Sequence, residues 1–346
     1  MEFSKNTGKV LLKDKQIREA VTLKDCKDCT IDGCEFVYDR TDTTLLTLSN
    51  CIGCKVLNSK FHSKSTKGLF LKIMGAKSKD NLVEGNEFWD HTFSKENGGE
   101  CMRVGNSNVS GCNFNTVVRK NLFHDVRSDV ELISIKSCGN IIEDNDMQNN
   151  AGMVTIRHGG YNTIQKNRFK GKGGIRVLGA GNKITGNYFK DNQDSKWIPI
   201  SIEYGNTERD PNFDASNKPS GKEGKSHAMY AQIRDGEVSD NNFESCKITI
   251  KTTDKGRKYG PVNNKSENNN TVQPGQLPEQ TPPDTEDPPE PEDPEAEKPE
   301  SDEVTPETVL VKLEALNTFL DKLIAALKAK GIEVPGLQEE ETQPAT

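Results

Sequence analysis

The sequence predicts an all-β fold, a parallel β-solenoid, followed by an acidic proline-rich linker and a C-terminal amphipathic helix. Three observations support this prediction. A short pattern recurs about every 22 residues, glycine- and asparagine-rich turns separate its copies, and only 32% of the 346 residues are hydrophobic. A stack of short coils has a narrow core and polar turns, so it tolerates this low apolar content.

The repeat unit is an apolar or β-branched pair, two polar residues, and then Asn-x-Phe or a close variant. Its copies are CKDCTIDGCEF (26–36), CIGCKVLNSKF (51–61), SKDNLVEGNEF (78–88), FNTVVRKNLF (114–123), CGNIIEDNDM (138–147), GYNTIQKNRF (160–169), AGNKITGNYF (180–189) and DGEVSDNNF (235–243). Because stacked strands lie about 4.8 Å apart, the unit predicts a phenylalanine column inside the solenoid and an asparagine column hydrogen-bonded along its axis. The longer gaps, near 90–120 and 190–240, predict loop insertions. A leucine-rich repeat is excluded, since it would show a leucine consensus and a helix in each unit.

The fading of the repeat divides the chain into four parts. Residues 1–270 are predicted to form the β-solenoid. Residues 271–304, rich in proline and acidic side chains, predict an extended and disordered linker. Residues 305–331 predict an amphipathic helix with a heptad seam, which favours self-association over docking on another protein. Residues 332–346 form an acidic tail.

Charge is distributed unevenly along the chain. The whole chain carries −7, while residues 277–303 carry −11 and residues 304–346 carry −3, which leaves +7 for residues 1–276. A basic folded part favours an anionic partner through attraction and steering, although a solvated lysine-rich face explains the charge equally well. No segment approaches the roughly 18 to 20 apolar residues of a membrane span, so no membrane partner is predicted.

The first residues, MEFSKNTGKVLLKDKQ, lack the apolar stretch of a signal peptide. This pattern is compatible with a cytosolic protein, with a mature or trimmed chain, or with export by another route such as a virion. An open solenoid end exposes unpaired backbone groups. We expect residues 1–20, a neighbouring subunit or the C-terminal helix to cover that end.

Nine cysteines include the pairs Cys26–Cys29 and Cys51–Cys54, whose spacing superficially suggests zinc. The two pairs lie 25 residues apart, at equivalent points of adjacent repeat units. The repeat therefore favours stacked thiols in the core or in turns over a metal site.

Two similar stretches, ISIKSCGN and VTIRHGGYN, place Lys136 and Arg157 at matching points of adjacent coils, 21 residues apart. Their side chains should emerge side by side, with Arg176 continuing the column 19 residues later. Asp129 and Glu131 differ from Lys136 in strand parity, so the chain must bend or bulge between them. Acids and cations then flank one groove, unless they form a surface salt-bridge ladder.

Two neighbouring acids with a further oxygen donor can hold Ca²⁺. Asp129 and Glu131 are such a pair, and Asn97, about one coil earlier in NGGECMRVG, is the candidate donor. With these motifs the sequence resembles polysaccharide lyase family 6, which includes alginate lyases and chondroitinase B. The resemblance rests on NGGECMRVG, DVELISIKS, VTIRHG and GGIRVLG, and it extends more weakly over residues 45–270.

The resemblance implies a right-handed parallel β-helix that cleaves a uronate polysaccharide by β-elimination with the help of Ca²⁺. It implies Lys136 as the Brønsted base and Arg157 as the general acid. The positions matched to calcium ligands are Asn97, Asp129 and Glu131, and those matched to the substrate groove are His158, Arg176 and Arg103.

The chain also departs from the family pattern. Asp129 stands where the family has Glu, and this shorter side chain puts the calcium affinity in doubt. The N-terminal capping segment is abbreviated, since repeats are visible only from about residue 26. The longer members carry a second β-helix domain, whereas this chain continues into the linker and helix.

The implied partner is an anionic polysaccharide, with alginate ahead of dermatan sulfate, and no nucleic-acid partner is predicted. We expect an extracellular enzyme that forms a homo-oligomer through residues 305–331. Two other classes stay open. A non-catalytic glycan-binding or fibre module would bind polymer without shortening it, and a hydrolase of the pectin type would need paired acids at the groove centre.

Overall fold

The structure, a computed structural model, describes residues 1–93 and 97–274. In these residues it is an all-β fold of thirty short strands, with one 3₁₀ turn at Ser107–Val109. The strands form three parallel sheets of ten, and each sheet takes every third strand of the chain. Each coil thus gives one strand to each sheet, which is the architecture of a parallel β-helix. The predicted fold class is confirmed to this extent, and the right-handed sense of the coil stays a prediction.

The strands of the first sheet are β1 (Glu2–Ser4), β4 (Val21–Lys24), β7 (Leu46–Ser49), β10 (Leu71–Met74), β13 (Met102–Val104), β16 (Glu131–Ile135), β19 (Met153–Ile156), β22 (Gly174–Val177), β25 (Ile200–Glu203) and β28 (Ile250–Thr253). Those of the second sheet are β2 (Val10–Lys13), β5 (Thr30–Asp32), β8 (Lys55–Leu57), β11 (Leu82–Glu84), β14 (Val117–Arg119), β17 (Ile141–Glu143), β20 (Thr163–Gln165), β23 (Lys183–Thr185), β26 (Glu237–Ser239) and β29 (Lys265–Glu267). Those of the third sheet are β3 (Gln16–Ile17), β6 (Glu35–Val37), β9 (Lys60–His62), β12 (Glu87–Trp89), β15 (Leu122–His124), β18 (Asp146–Gln148), β21 (Arg168–Lys170), β24 (Tyr188–Lys190), β27 (Asn242–Glu244) and β30 (Asn270–Val272).

The predicted phenylalanine column runs along the inner face of the third sheet. The rings of Phe36, Phe61 and Phe88 stack nearly parallel, with centroids 4.6 and 4.8 Å apart. Phe88 stacks in turn on Phe123, at 4.7 Å. These rings are fully buried, and each contributes about 1.5–3 kcal/mol through the apolar surface that it removes from water.

The predicted asparagine column runs beside the phenylalanine rings. The amide of Asn86 donates to Oδ1 of Asn121, and Asn121 donates to Oδ1 of Asn145, both at 2.9 Å. The same contact continues coil by coil to Asn269. These buried amides also bond to backbone groups of the neighbouring turns, so the column satisfies polar atoms that the turns bring into the interior.

The coils begin earlier in the chain than the repeat indicated. Residues 1–20 do not cover the end of the solenoid as a cap, because β1 and β3 pair with β4 and β6 and form a coil of their own. At the other end, β30 reaches Val272. The predicted linker beyond residue 274, the helix at 305–331 and the tail at 332–346 lie outside the described residues. Within the part of the chain that is described, no helix is long and apolar enough to cross a membrane.

The cysteines of the two pairs lie in the hydrophobic core, in adjacent coils. Cys26, Cys29 and Cys51 donate their thiol protons to backbone carbonyl oxygens. All nine cysteines are free thiols. Their burial agrees with the stacked arrangement that the repeat favours.

Candidate active site

Lys136 and Arg157 lie on the outer face of the first sheet, at its sixth and seventh strands. Ile135 pairs with Ile156, and the backbone N–H of Arg157 donates a 2.8 Å hydrogen bond to Ile135 O. Lys136 and Arg157 follow these paired residues directly, so they occupy equivalent positions of adjacent coils. This is the juxtaposition that the repeat predicts.

Arg176 does not continue this row, contrary to the prediction. It pairs with Thr155, two positions before Arg157, and through successive strand pairs it shares a row with Arg103. Arg176 and Arg157 still point to the same face, because they are offset by an even number of residues. The coil that ends at Arg176 is shorter, and counting along the sequence does not show where the shortening falls.

A bulge brings the acids and the cations to one side of the sheet. Glu131 pairs with Met153 whereas Ile133 pairs with Val154, so the register shifts between Glu131 and Ile133. One extra residue reverses the alternation of side chains. The bulge predicted from the parity of the acids and Lys136 is confirmed.

Glu131 is the buried acid at the centre of the site. Its Oε1 accepts from Nη1 of Arg157 at 3.0 Å and from Nη1 of Arg176 at 3.4 Å. Its Oε2 accepts the hydroxyl proton of Ser134 at 2.5 Å. Burial would raise the pKa of Glu131, but the positive charges of Arg157 and Lys136 outweigh it and lower that pKa. Glu131 is therefore an ionised anchor for the two arginines.

Lys136 is 14% exposed, and its Nζ lies 3.8 Å from Oε1 of Glu100. Burial first, and then the positive charge of Arg103, lower the pKa of Lys136 to about 8, although Glu131 and Glu100 act in the opposite direction. Arg103 also binds Oε1 of Glu100 through its Nε, at 3.0 Å. The result is a lysine that is partly neutral near neutral pH.

Asp129 lies in a second group of oxygen atoms. Its Oδ2 accepts from the backbone N–H of Gly98 at 3.0 Å, next to the exposed Asn97 in the chain. Burial and then the negative charge of Glu100 raise the pKa of Asp129. Oε2 of Glu100 is buried without a hydrogen-bond partner. Buried carboxylates that repel each other in this way fit an oxygen-ligated cation such as Ca²⁺, with Glu131 already engaged by arginines.

A sequence profile of the family described as Chondroitinase B matches residues 14–205, more than half of the chain. The chain belongs to the chondroitinase B family. It is therefore a polysaccharide lyase by family. The match ends at β25, so the last coils and the insertion before them lie outside it.

Solved structures show a likeness to the same family in fold. One is a mannuronic acid specific polysaccharide family 6 lyase from human gut microbiota, 17% identical, with a TM-score of 0.53 over 79% of this chain and 77% of that one. Another is the alginate lyase AlyF-OU02, 19% identical, with a TM-score of 0.50 over 70% of this chain and 64% of that one. No curated protein matches the chain.

Tyr230 is a member of the site that sequence reasoning missed. It lies in the insertion between β25 and β26, residues 204–236, and its ring faces three guanidinium groups. Those of Arg157, Arg176 and Arg257 lie 5.0, 5.4 and 4.0 Å from the ring centroid. The insertion has no repeat register, so the sequence gave no signal that Tyr230 would reach the family's catalytic face.

His158 follows Arg157 directly but is only 4% exposed. Its ring meets that of His227 edge to face, with centroids 4.5 Å apart. Burial first, and then the nearby His227, lower the pKa of His158 to about 3, so the ring is neutral. The sequence placed His158 in the substrate groove, and the structure places it beneath the surface that Arg157 and Tyr230 form.

Proposed function

We propose that this lyase cleaves uronate polysaccharides, alginate first among them, by β-elimination at Lys136 and Arg157. The observation that carries the proposal is the pairing of these two cations on adjacent coils, with the pKa of the lysine lowered to about 8. Alginate is preferred because enzymes of similar fold are an alginate lyase and a mannuronic acid specific lyase. Dermatan sulfate is the second substrate to test.

Lys136 acts as the base. The proton next to a uronate carboxylate is very weakly acidic, and its removal builds negative charge on that carboxylate. Lys136 accepts the proton on Nζ only when it is neutral, and burial beside Arg103 favours the neutral form. The electron pair left behind forms a double bond within the sugar ring, and the bond to the glycosidic oxygen breaks.

Arg157 binds the negative charge that develops. Its guanidinium is held by Glu131 at 3.0 Å, so its orientation is set before substrate arrives. A guanidinium is hard to deprotonate. In its role as the acid, Arg157 therefore donates a hydrogen bond to the leaving oxygen or to a water that supplies the proton.

Arg103, Arg176 and His158 are the proposed substrate-binding residues. Arg103 and Arg176 share one row of the outer face and offer positive charge to uronate carboxylates. Each is already paired with a buried glutamate, which fixes its position. His158 supports Arg157 from below rather than through an exposed ring.

Asn97, Asp129 and Glu131 are the residues that would hold Ca²⁺, with Glu100 as a further carboxylate. A bound calcium ion would neutralise part of the substrate carboxylate and so make the adjacent proton more acidic. Asp129 and Glu100 support the assignment because their mutual repulsion favours a cation between them. Asp129→Asn should therefore weaken calcium binding while leaving the coil folded.

The test is the absorbance of the new conjugated double bond over time, with alginate and CaCl₂. We expect a rise for wild type and for the control Lys170→Ala, whose side chain is exposed on the third sheet, and none for Lys136→Ala. A rise that survives EGTA would keep the lyase and remove the calcium site. No rise on alginate or dermatan sulfate, with polymer bound but not shortened, would overturn the proposal in favour of a glycan-binding module.

We also propose an extracellular enzyme that self-associates through residues 305–331. The support is the heptad pattern of that segment together with the polymeric nature of the substrate. Several grooves on one polymer raise the overall affinity without new contacts.

A further inference from the structure

A second group of side chains with the chemistry of metal ligands lies below the row of cations. It consists of His158, Asp210 and His227, whose ligand-capable atoms all lie within 4.8 Å of one another. His158 follows β19, whereas Asp210 and His227 both come from the insertion at 204–236. The fold thus brings together three residues from distant parts of the sequence.

This group is buried and incompletely hydrogen-bonded. His158 is 4% and Asp210 1% exposed, and the side chain of His227 is 8% exposed. The Nδ1 atoms of both histidines are buried without a hydrogen-bond partner. Buried ring nitrogens are normally paired, so two such atoms in one cluster point to a missing ligand.

Asp210 is held in place by its surroundings. It accepts hydrogen bonds from the hydroxyl of Ser110 at 2.7 Å and from the backbone N–H of Gly159 at 3.0 Å. Its Oδ1 lies 3.3 Å from Nε2 of His227. Outer contacts of this kind orient the ligands of metal sites. An ion pair between His227 and Asp210 alone would not account for His158, whose ring packs edge-on against His227.

We propose that His158, Asp210 and His227 bind a divalent transition-metal ion, with Zn²⁺ as the best match. Two imidazoles and one carboxylate are a common zinc ligand set, with water in the fourth position. Imidazole nitrogen distinguishes this site from the oxygen-rich group around Asp129, which suits Ca²⁺. The inference goes beyond the proposed lyase activity and does not depend on it.

The metal would join the insertion to the coil that carries Arg157. Tyr230, three residues after His227, faces the Arg157 guanidinium at 5.0 Å. A link at His227 would therefore fix the aromatic surface over the arginines. The role is structural, and the metal takes no part in proton transfer.

The test uses the full chain without a histidine tag, stripped of metal by a chelator and then titrated with CoCl₂ or ZnCl₂. We expect one equivalent of metal by elemental analysis, visible Co²⁺ absorption bands, and a higher melting temperature. X-ray absorption of the Zn²⁺ form should show two imidazole ligands. His227→Ala should lose the bands, whereas His124→Ala, a histidine of the third sheet outside the cluster, should keep them.

The proposal is overturned if wild type binds no stoichiometric Co²⁺ or Zn²⁺, or if the bound Zn²⁺ shows no imidazole ligands. It is also overturned if a folded His227→Ala keeps the Co²⁺ bands. Should that variant not fold, Asp210→Asn takes its place, since it retains the shape of the side chain. Failure of the alginate assay leaves these outcomes unaffected, because none of them measures activity.

Discussion

At the scale of single residues, the protonation of Lys136 depends on a balance of opposed charges. Arg103 lowers its pKa, while Glu100 and Glu131 raise it, and burial adds the largest effect. The neutral form is the one that can take a proton from substrate. The pH dependence of the reaction should therefore report this balance.

The first prediction concerns that pH dependence. With a pKa of about 8, the neutral fraction of Lys136 is about one tenth at pH 7 and about nine tenths at pH 9. We expect kcat/KM on alginate to rise through pH 8 by this factor. Lys136→Arg keeps the charge but cannot deprotonate, and it should be inactive at every pH. A flat profile for wild type between pH 6 and 9 would contradict the assignment of the base.

The second prediction concerns Arg103. Arg103→Met removes a positive charge that lowers the pKa of Lys136, so the rising limb of the pH profile should move to higher pH. Glu131→Gln should move it to lower pH, because Glu131 stabilises the charged lysine. Opposite shifts in the two variants separate this electrostatic effect from a loss of substrate binding, which would change KM without moving the limb.

The sequence was sufficient to predict Lys136, Arg157, Asp129 and Glu131 as one site, because their spacing equals one coil. It could not predict Glu100 or Tyr230 as members. Glu100 lies within a recognised motif, but only its burial against Lys136 shows its electrostatic role. Tyr230 comes from an insertion that follows no repeat, so its position depends on tertiary contacts alone.

At the scale of elements, the asparagine column is the feature on which neighbouring coils depend most directly. Asn145 accepts from the side chain and backbone N–H of Asn121 and donates to Asn167 Oδ1 and Val118 O. All of these atoms are buried. Removing one amide therefore leaves several polar groups without partners.

The third prediction follows from this network. Asn145→Ala should lower the free energy of unfolding by about 2–4 kcal/mol, since each buried group left unpaired costs about 1–3 kcal/mol. The matched control is Gln165→Ala, an amide on the adjacent coil that binds Glu143 at the surface, and it should cost under about 1 kcal/mol. Chemical denaturation of both variants measures the difference. Equal losses would mean that the column is not a stabilising element.

The repeat predicted both columns because the same residue types recur at the same point of each coil. It did not predict the first coil, where Ile17 pairs with Phe36 and takes the place of a phenylalanine. It also misplaced Arg176, because a coil can lose residues in any of its turns. Column composition is written in the sequence, whereas exact register is decided by how each turn closes.

At the scale of the whole molecule, charge is separated along the chain. The part that forms the β-helix is basic, and the acidic residues concentrate beyond residue 276. An anionic polymer would be attracted to the first part and repelled by the second. Attraction of this kind weakens as salt screens it.

The fourth prediction concerns the residues after the β-helix. A chain ending at residue 274 keeps β30 intact, so it should fold and retain its activity per site. If residues 305–331 associate, light scattering should give a smaller number of chains per particle for the shortened protein than for the full chain. An unchanged number would remove the oligomer proposal and leave the lyase proposal in place.

The proposed catalytic residues lie on the fifth to eighth of the ten strands of the first sheet. In a linear stack each coil is stabilised only by its two neighbours, so opening starts at the ends and moves inward. Amide hydrogens of the terminal coils should therefore exchange with solvent well before those around Glu131. On gradual heating, the two ends would peel away first, and the enzyme would stay active while its outermost coils are already unravelled.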